Sequence, residues 1–130
     1  HLDHEVQAAR EKSAELIRKR IGRLPTDSPL FLVGDFNSIA AANRTYDILT
    51  KEAGLTDTWS AARERRNEDT NSFTGFGPLR HEGERIDWIL ARGAMDVRAT
   101  EVVTFRHGDQ WPSDHLPIVA WITLQQAPDQ

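Results

Sequence analysis

The sequence contains no cysteine, no long apolar run and no excess of positive charge. Without cysteine, disulfides, zinc–thiolate sites, iron–sulfur clusters and cysteine nucleophiles are excluded, while the redox compartment stays open. No run approaches the roughly 20 apolar residues of a membrane-spanning helix. Sixteen Lys and Arg oppose 20 Asp and Glu, giving a net charge of −4. A chain with this charge balance is not expected to bind long nucleic acid by charge alone. Any phosphate chemistry therefore needs local groups or a bound cation.

The chain of 130 residues is long enough for one globular core, and its composition of 38% hydrophobic and 28% charged residues is typical of one. Residue His1 is not a methionine, and no signal-peptide pattern follows it. We therefore expect the numbered sequence to begin within a longer gene product.

Hydrophobic periodicity predicts helices over 5–24 and 40–53 and a short buried strand over 30–33. The charged run 63–69 is typical of a solvated loop. Further strands are predicted at 71–76, 85–91, 97–106 and 117–125. Early helices and late strands indicate an α/β or α+β fold.

Two of these strands, 30–33 and 117–124, carry apolar side chains on both faces. Strands of this kind require cover on both sides of the sheet. The two predicted helices can cover one face, and little in the sequence can cover the other. We infer that a partner layer, either another segment of the parent protein or a second chain, completes the structure.

Chemically capable side chains fall in four short clusters at predicted strand ends, where a rigid scaffold meets a loop. The clusters are His1-Leu-Asp-His4, Gly34-Asp-Phe-Asn-Ser38, Arg85-Ile-Asp-Trp88 and Pro112-Ser-Asp-His-Leu-Pro117. Asp35 and Asn37 are two residues apart, so in an extended segment they point the same way and can orient a water or hold a phosphate oxygen or a metal. Ordinary turn chemistry is the alternative.

The acids of the later clusters also allow two interpretations. Asp114 and His115 pair a metal-binding or water-activating acid with an imidazole, or they form a polar loop between two prolines. Asp87 is a carboxylate on an otherwise apolar strand and requires a partner. Either it forms a salt bridge to a nearby arginine, or it fixes the tautomer and orientation of a histidine.

Taken together, the order of the clusters resembles the C-terminal half of the endonuclease/exonuclease/phosphatase superfamily, the deoxyribonuclease I-like fold. The segment Phe73-Thr-Gly-Phe76 is also similar to a loop in family members. The resemblance implies one mostly antiparallel sheet backed by helices, which is half of a four-layer αββα sandwich. It implies that residues 1–130 form the C-terminal half and that the N-terminal half is absent.

The resemblance also implies a role for each polar residue in hydrolysing a phosphate ester. His1 contacts the scissile phosphate, Asn37 holds it, and His115 stabilises the charge of the phosphorane-like transition state. Asp87 hydrogen-bonds this last histidine.

The resemblance assigns two further aspartates to the attacking water and to the metal ion. Asp35 positions or deprotonates the attacking water, and Asp114 lies near the metal, so Asp35 and Asp114 are the predicted metal ligands. The cofactor is Mg²⁺ or Mn²⁺, which suits an oxygen-rich site. The implied chemistry is in-line attack of water on phosphorus.

The principal metal-binding glutamate of the family belongs to the N-terminal half, so we expect the isolated chain to be poorly active. The substrate stays open among nucleic acid, phospholipid and small molecules, as does the choice between phosphodiester and phosphomonoester. A non-catalytic interaction module or an inactive fragment that retains the fold is the alternative function. The partner at the open sheet is the missing N-terminal half or a second protomer, and the compartment is not specified.

Overall fold

A computed structural model describes residues 1–125. The elements in chain order are α1 Gln7–Ile21, β1 Leu30–Asp35, α2 Arg44–Asp47, β2 Thr56–Asp57, α3 Thr58–Ala61, β3 Glu64–Arg66, β4 Asp87–Arg92, β5 Met95–Val102 and β6 Ile118–Leu124. One π-helical turn, Ile48–Glu52, continues α2. The α/β class is confirmed.

The strands form two three-stranded sheets, where the family resemblance implied one mostly antiparallel sheet. The first has the order β1-β4-β2 and is antiparallel; the second has the order β3-β5-β6, with β3 parallel to β5 and β6 antiparallel to it. Register in the first sheet places Asp35 at the end of β1 opposite Asp87 at the start of β4. The sheet pairing therefore brings two distant acids together.

The larger core lies between the first sheet and the helices. Trp88 and Leu90 on β4 are fully buried and pack with Ala14 and Ile21 of α1. The ring of Trp88 stacks on Phe36 at 4.3 Å between ring centroids. Because Phe36 directly follows Asp35, this stack fixes the loop that carries the first acid to the strand that carries the second.

Several predicted elements differ from the structure. The charged run 63–69 contains β3, which uses backbone hydrogen bonds at a sheet edge where charged side chains stay in water. Segment 71–76 forms no strand and contributes only an isolated bridge between Phe73 and His115. The short elements β2 and α3 were not predicted, because two to four residues are too few to establish a period.

One face of the first sheet is uncovered. Phe31 and Val33 alternate along β1 with the partly buried Leu30 and Leu32, and they are 44% and 62% exposed. The predicted cover for this face is therefore not supplied by residues 1–125. In the same part of the chain, no helix combines the length and the apolar character needed to cross a membrane.

Candidate active site

The first acid of the site is held by its own loop. Asp35 accepts the backbone N–H of Asn37 at 2.7 Å, and its other oxygen accepts the Asn37 side-chain amide at 3.1 Å. Asn37 adopts a left-handed backbone conformation with φ 47°, which asparagine tolerates better than most residues. This tight turn, rather than the extended segment assumed from the two-residue spacing, brings the carboxylate and the amide together.

An imidazole lies between the two acids. The Nδ1 atom of His115 is 2.9 Å from Oδ2 of Asp87, and its Nε2 is 3.7 Å from Oδ2 of Asp35. The alternative that Asp87 pairs with an arginine is not observed within residues 1–125, where Arg85 pairs instead with Asp57. Asp87 thus orients His115 and leaves Nε2 on the side of Asp35.

Ser72 positions this pair and is the residue that the sequence reasoning missed. Its buried hydroxyl donates to Oδ2 of Asp87 at 2.7 Å and accepts the backbone N–H of Ile86 at 3.0 Å. Its carbonyl accepts the backbone N–H of Leu116 at 2.7 Å, beside His115. Nothing in the spacing of the sequence distinguishes this serine from an ordinary loop serine.

The structure places His1 at the exposed rim of the cluster. Its Nε2 lies 3.3 Å from both Oδ2 of Asp35 and Nδ2 of Asn37, and its side chain is 69% exposed. The backbone N–H of Leu2 donates to the carbonyl of Asp35, which fixes this segment along the end of β1. His1 is therefore close enough to share a ligand with Asp35 and Asn37.

Asp114 has a different position from the other predicted residues. Its carboxylate accepts the hydroxyl of Ser113 at 3.3 Å, and its carbonyl accepts the backbone N–H groups of Thr74 and Gly75. Within residues 1–125, the one group of three or more acids and histidines with ligand atoms mutually within 4.8 Å is Asp35, Asp87 and His115. Asp114 anchors the neighbouring loop and lies outside that group.

The pKa values of both members of the Asp87–His115 pair are raised, for different reasons. Burial raises the pKa of Asp87, outweighing the hydrogen bonds from His115 and Ser72 that lower it. Burial alone lowers the pKa of His115, but its bond to Asp87 and the nearby negative charges outweigh this and raise the pKa above its ordinary value. His115 therefore keeps its proton to higher pH than a free histidine, which suits a group that stabilises negative charge.

The donor set fits a divalent cation of the Mg²⁺ type. Such ions bind one or two carboxylates and complete their coordination with water and substrate phosphate. Asp35 and Asp87 supply those carboxylates, and His115, held by Asp87 through Nδ1, lies beside them rather than in the ligand set. An open cavity of about 500 Å³ borders all three residues and continues along the uncovered sheet face past Val33 and Ile118.

Comparison with known proteins assigns the chain to a family. The sequence profile of the Endonuclease/Exonuclease/phosphatase family matches residues 1–115. The chain belongs to this family. Among curated proteins, no sequence matches it significantly.

Solved structures of the endonuclease/exonuclease/phosphatase family superpose closely on the chain. One from Bacteroides vulgatus is 29% identical with a TM-score of 0.81, covering 96% of this chain and 48% of that protein. A mannosyl-6-phosphatase from Bacteroides thetaiotaomicron is 27% identical with a TM-score of 0.80, covering 95% and 49%. Sphingomyelinase C from Streptomyces griseocarneus, at 17% identity and a TM-score of 0.55 over 87% and 45%, shares the fold alone. The chain spans about half the length of these structures.

Proposed function

We propose that this chain is part of a divalent-metal-dependent phosphoesterase that hydrolyses its substrate by in-line attack of water. The observation that carries the proposal is the position of His115 between Asp87 and Asp35 at an open cavity. A protonated imidazole fixed on one side by an acid and facing a second acid is suited to stabilise charge while the second acid handles water.

Each residue has a defined task in this scheme. Asp35 orients the water and accepts its proton, Asn37 and His1 bind the phosphate, and His115 stabilises the negative charge that develops on it. Asp87 positions His115. The amide nitrogen of Asn37 lies 3.3 Å from Nε2 of His1 and donates to the carbonyl of Leu2 and to Asp35, so a phosphate bound by both residues would replace one of these bonds.

Asp35 and Asp87 would hold Mg²⁺ or Mn²⁺, and Asp114 keeps its proposed place near it although its carboxylate lies outside the three-residue group. When bound, the ion supplies positive charge that offsets the charge developing on the phosphate oxygens. The likeness to a mannosyl-6-phosphatase supports the phosphomonoesterase version over the phosphodiesterase version.

The test is hydrolysis by the full natural polypeptide that carries this sequence. Phosphate release from monoesters and cleavage of diesters are measured with Mg²⁺, with Mn²⁺ and with a chelator. We expect metal-dependent turnover that His115→Ala abolishes and that His81→Ala, a change at an exposed loop histidine, leaves intact. Unchanged turnover in His115→Ala would contradict the proposal, and no turnover on any ester would favour the interaction-module alternative.

We further propose that residues 1–130 form the C-terminal half of the enzyme fold and that the other half covers Phe31 and Val33. The half-length match to the solved structures supports this. Turnover by residues 1–130 alone should be far below that of the full polypeptide. Light scattering of the isolated chain separates this from the second-protomer alternative, which requires a dimer.

A further inference from the structure

A second cavity is lined by the loop that also contacts His115 through Phe73, and it has no part in the proposed hydrolytic step. It measures about 500 Å³ and lies between the loop 73–79 and the loop 104–111. We call it the loop pocket and define it by Phe76, Leu79, Arg106, Asp109 and Trp111. Leu79 and Trp111 form its base, because both pack against a second, smaller core of Trp59, Val102 and Leu116.

The loop pocket is joined to the active site by direct contacts. The ring of Phe73 lies 4.9 Å from the His115 ring, and a Cβ atom at Gly75 would lie 3.5 Å from the Phe73 ring. Farther along the loop, Trp111 donates its indole N–H to the carbonyl of Gly77 at 3.0 Å. One short loop therefore contacts His115 at one end and lines the pocket at the other, so a group attached to a phosphate at His115 has a neighbouring surface to occupy.

The walls of the pocket present one apolar ring and two opposite charges. Phe76 has a left-handed backbone with φ 64°, a costly conformation for a bulky residue, and its ring is 63% exposed. Arg106 lies over the ring of Trp111 at 5.6 Å, and no ion pair within residues 1–125 includes it. Asp109 stands on a two-residue hairpin closed by reciprocal hydrogen bonds between His107 and Gln110.

This combination suits a sugar better than other organic groups. A sugar ring offers an apolar C–H face to an aromatic ring, and its hydroxyls both accept from a guanidinium and donate to a carboxylate. A lipid chain would leave the charges of Arg106 and Asp109 unpaired. A polynucleotide would require a row of cations, whereas this pocket contains an acid and the chain carries a net charge of −4.

We propose that the loop pocket binds the sugar moiety of a hexose phosphate, with the phosphate at His115 and the ring on Phe76 between Arg106 and Asp109. This rests on the proposed phosphoesterase function and narrows its substrate class. The sugar is either free or the end of a glycan, since both present the same ring and phosphate.

Binding tests the pocket without turnover. Binding is measured by saturation-transfer NMR on the full natural polypeptide, with a chelator present to prevent turnover. Glucose 6-phosphate represents the free sugar, and its methyl glycoside represents a sugar at the end of a glycan. We expect saturation of the sugar ring protons and an affinity about tenfold lower in Phe76→Ala and in Arg106→Gln. The matched control is Phe105→Ala, which removes a neighbouring ring that is 65% exposed and does not line the pocket.

Two results would overturn the inference: no saturation of ring protons in the unmodified protein, or equal affinities for Phe76→Ala and Phe105→Ala. Turnover separates the two proposals. The ratio of kcat/KM for glucose 6-phosphate to that for ethyl phosphate should fall about tenfold in Phe76→Ala and stay constant in Phe105→Ala. Sugar binding without hydrolysis under any metal condition would retain the pocket and reject the phosphoesterase function.

Discussion

Two acid-and-base clusters flank the start of β4, and they differ in what surrounds them. In the first, Arg85 and Asp57 form an ion pair at 3.1 Å with side chains 7% and 2% exposed. Tyr46 donates to the same carboxylate at 3.0 Å, and Trp59 lies 4.4 Å beneath the guanidinium. Every partner of this carboxylate is fixed inside the protein.

In the second cluster, Asp87 and His115 pair at 2.9 Å, but their side chains are 19% and 27% exposed. Nε2 of His115 and the carboxylate of Asp35 border an open cavity. An acid paired with a base therefore contributes to stability where fixed donors and aromatic rings enclose the pair. The same kind of pair can bind a ligand where one side opens to solvent.

The largest expected effect comes from breaking the enclosed cluster. Arg85→Ala leaves the Asp57 charge buried without its cation, and we expect a loss of about 3–5 kcal/mol in the free energy of unfolding. Urea denaturation measures it. The double change Asp57→Asn with Arg85→Met removes both charges while an amide oxygen can still accept from Tyr46 and from the backbone N–H of Trp59, and it should cost much less. An equal cost would show that the ion pair is not the source of the effect.

The open cluster should respond in activity rather than in stability. Asp87→Asn keeps the shape of the side chain but removes the charge that orients His115, so kcat should fall by about 10²–10⁴. The free energy of unfolding should change by less than about 1 kcal/mol, because burial already disfavours the Asp87 charge. Steady-state kinetics and urea denaturation on the same preparation check both halves. A large stability loss with normal kcat would reverse the distinction between the two clusters.

The sequence predicts elements with a clear period but not the clusters that these elements build. Helix α1 and strands β1, β4, β5 and β6 follow from apolar spacing. The register that sets Asp35 against Asp87 depends on the pairing of strands more than fifty residues apart, which no local pattern encodes. The grouping of Asp87 with His115 was available only through the family resemblance.

The enclosed cluster was missed for a related reason. Asp57 and Arg85 are ordinary charged residues in the sequence, and only the tertiary structure shows that both are buried. The motif Arg85-Ile-Asp87 in fact divides its charges between the two clusters: its arginine belongs to the enclosed one and its aspartate to the open one.

Divalent cations should stabilise the protein through the open cluster, by less than the effects above. A ligand that binds only the folded state at ten times its Kd adds about 1.4 kcal/mol of stability. We expect Mn²⁺ to raise the Tm of the full polypeptide and of Asp69→Asn, a change at an exposed acid, but to have little effect on Asp35→Asn. An equal rise in all three would place the binding site elsewhere.

The smallest effect lies at alkaline pH and concerns the enclosed cluster. Burial and the nearby charge of Asp57 raise the pKa of Tyr46 above its ordinary value of 10. The folded state therefore holds the phenol proton more tightly than the unfolded state. The stability that this proton contributes is complete below pH 10 and is lost as the pH rises through the pKa of the folded protein.

Because Tyr46 is the only tyrosine, the ultraviolet absorbance of its phenolate reports this ionisation directly. In Tyr46→Phe the absorbance change disappears, and the alkaline loss of stability should become shallower. An ordinary tyrosine titration in the folded protein would mean that the cluster around Asp57 opens to water as readily as the one around His115. The distinction between an enclosed and an open acid cluster would then no longer hold.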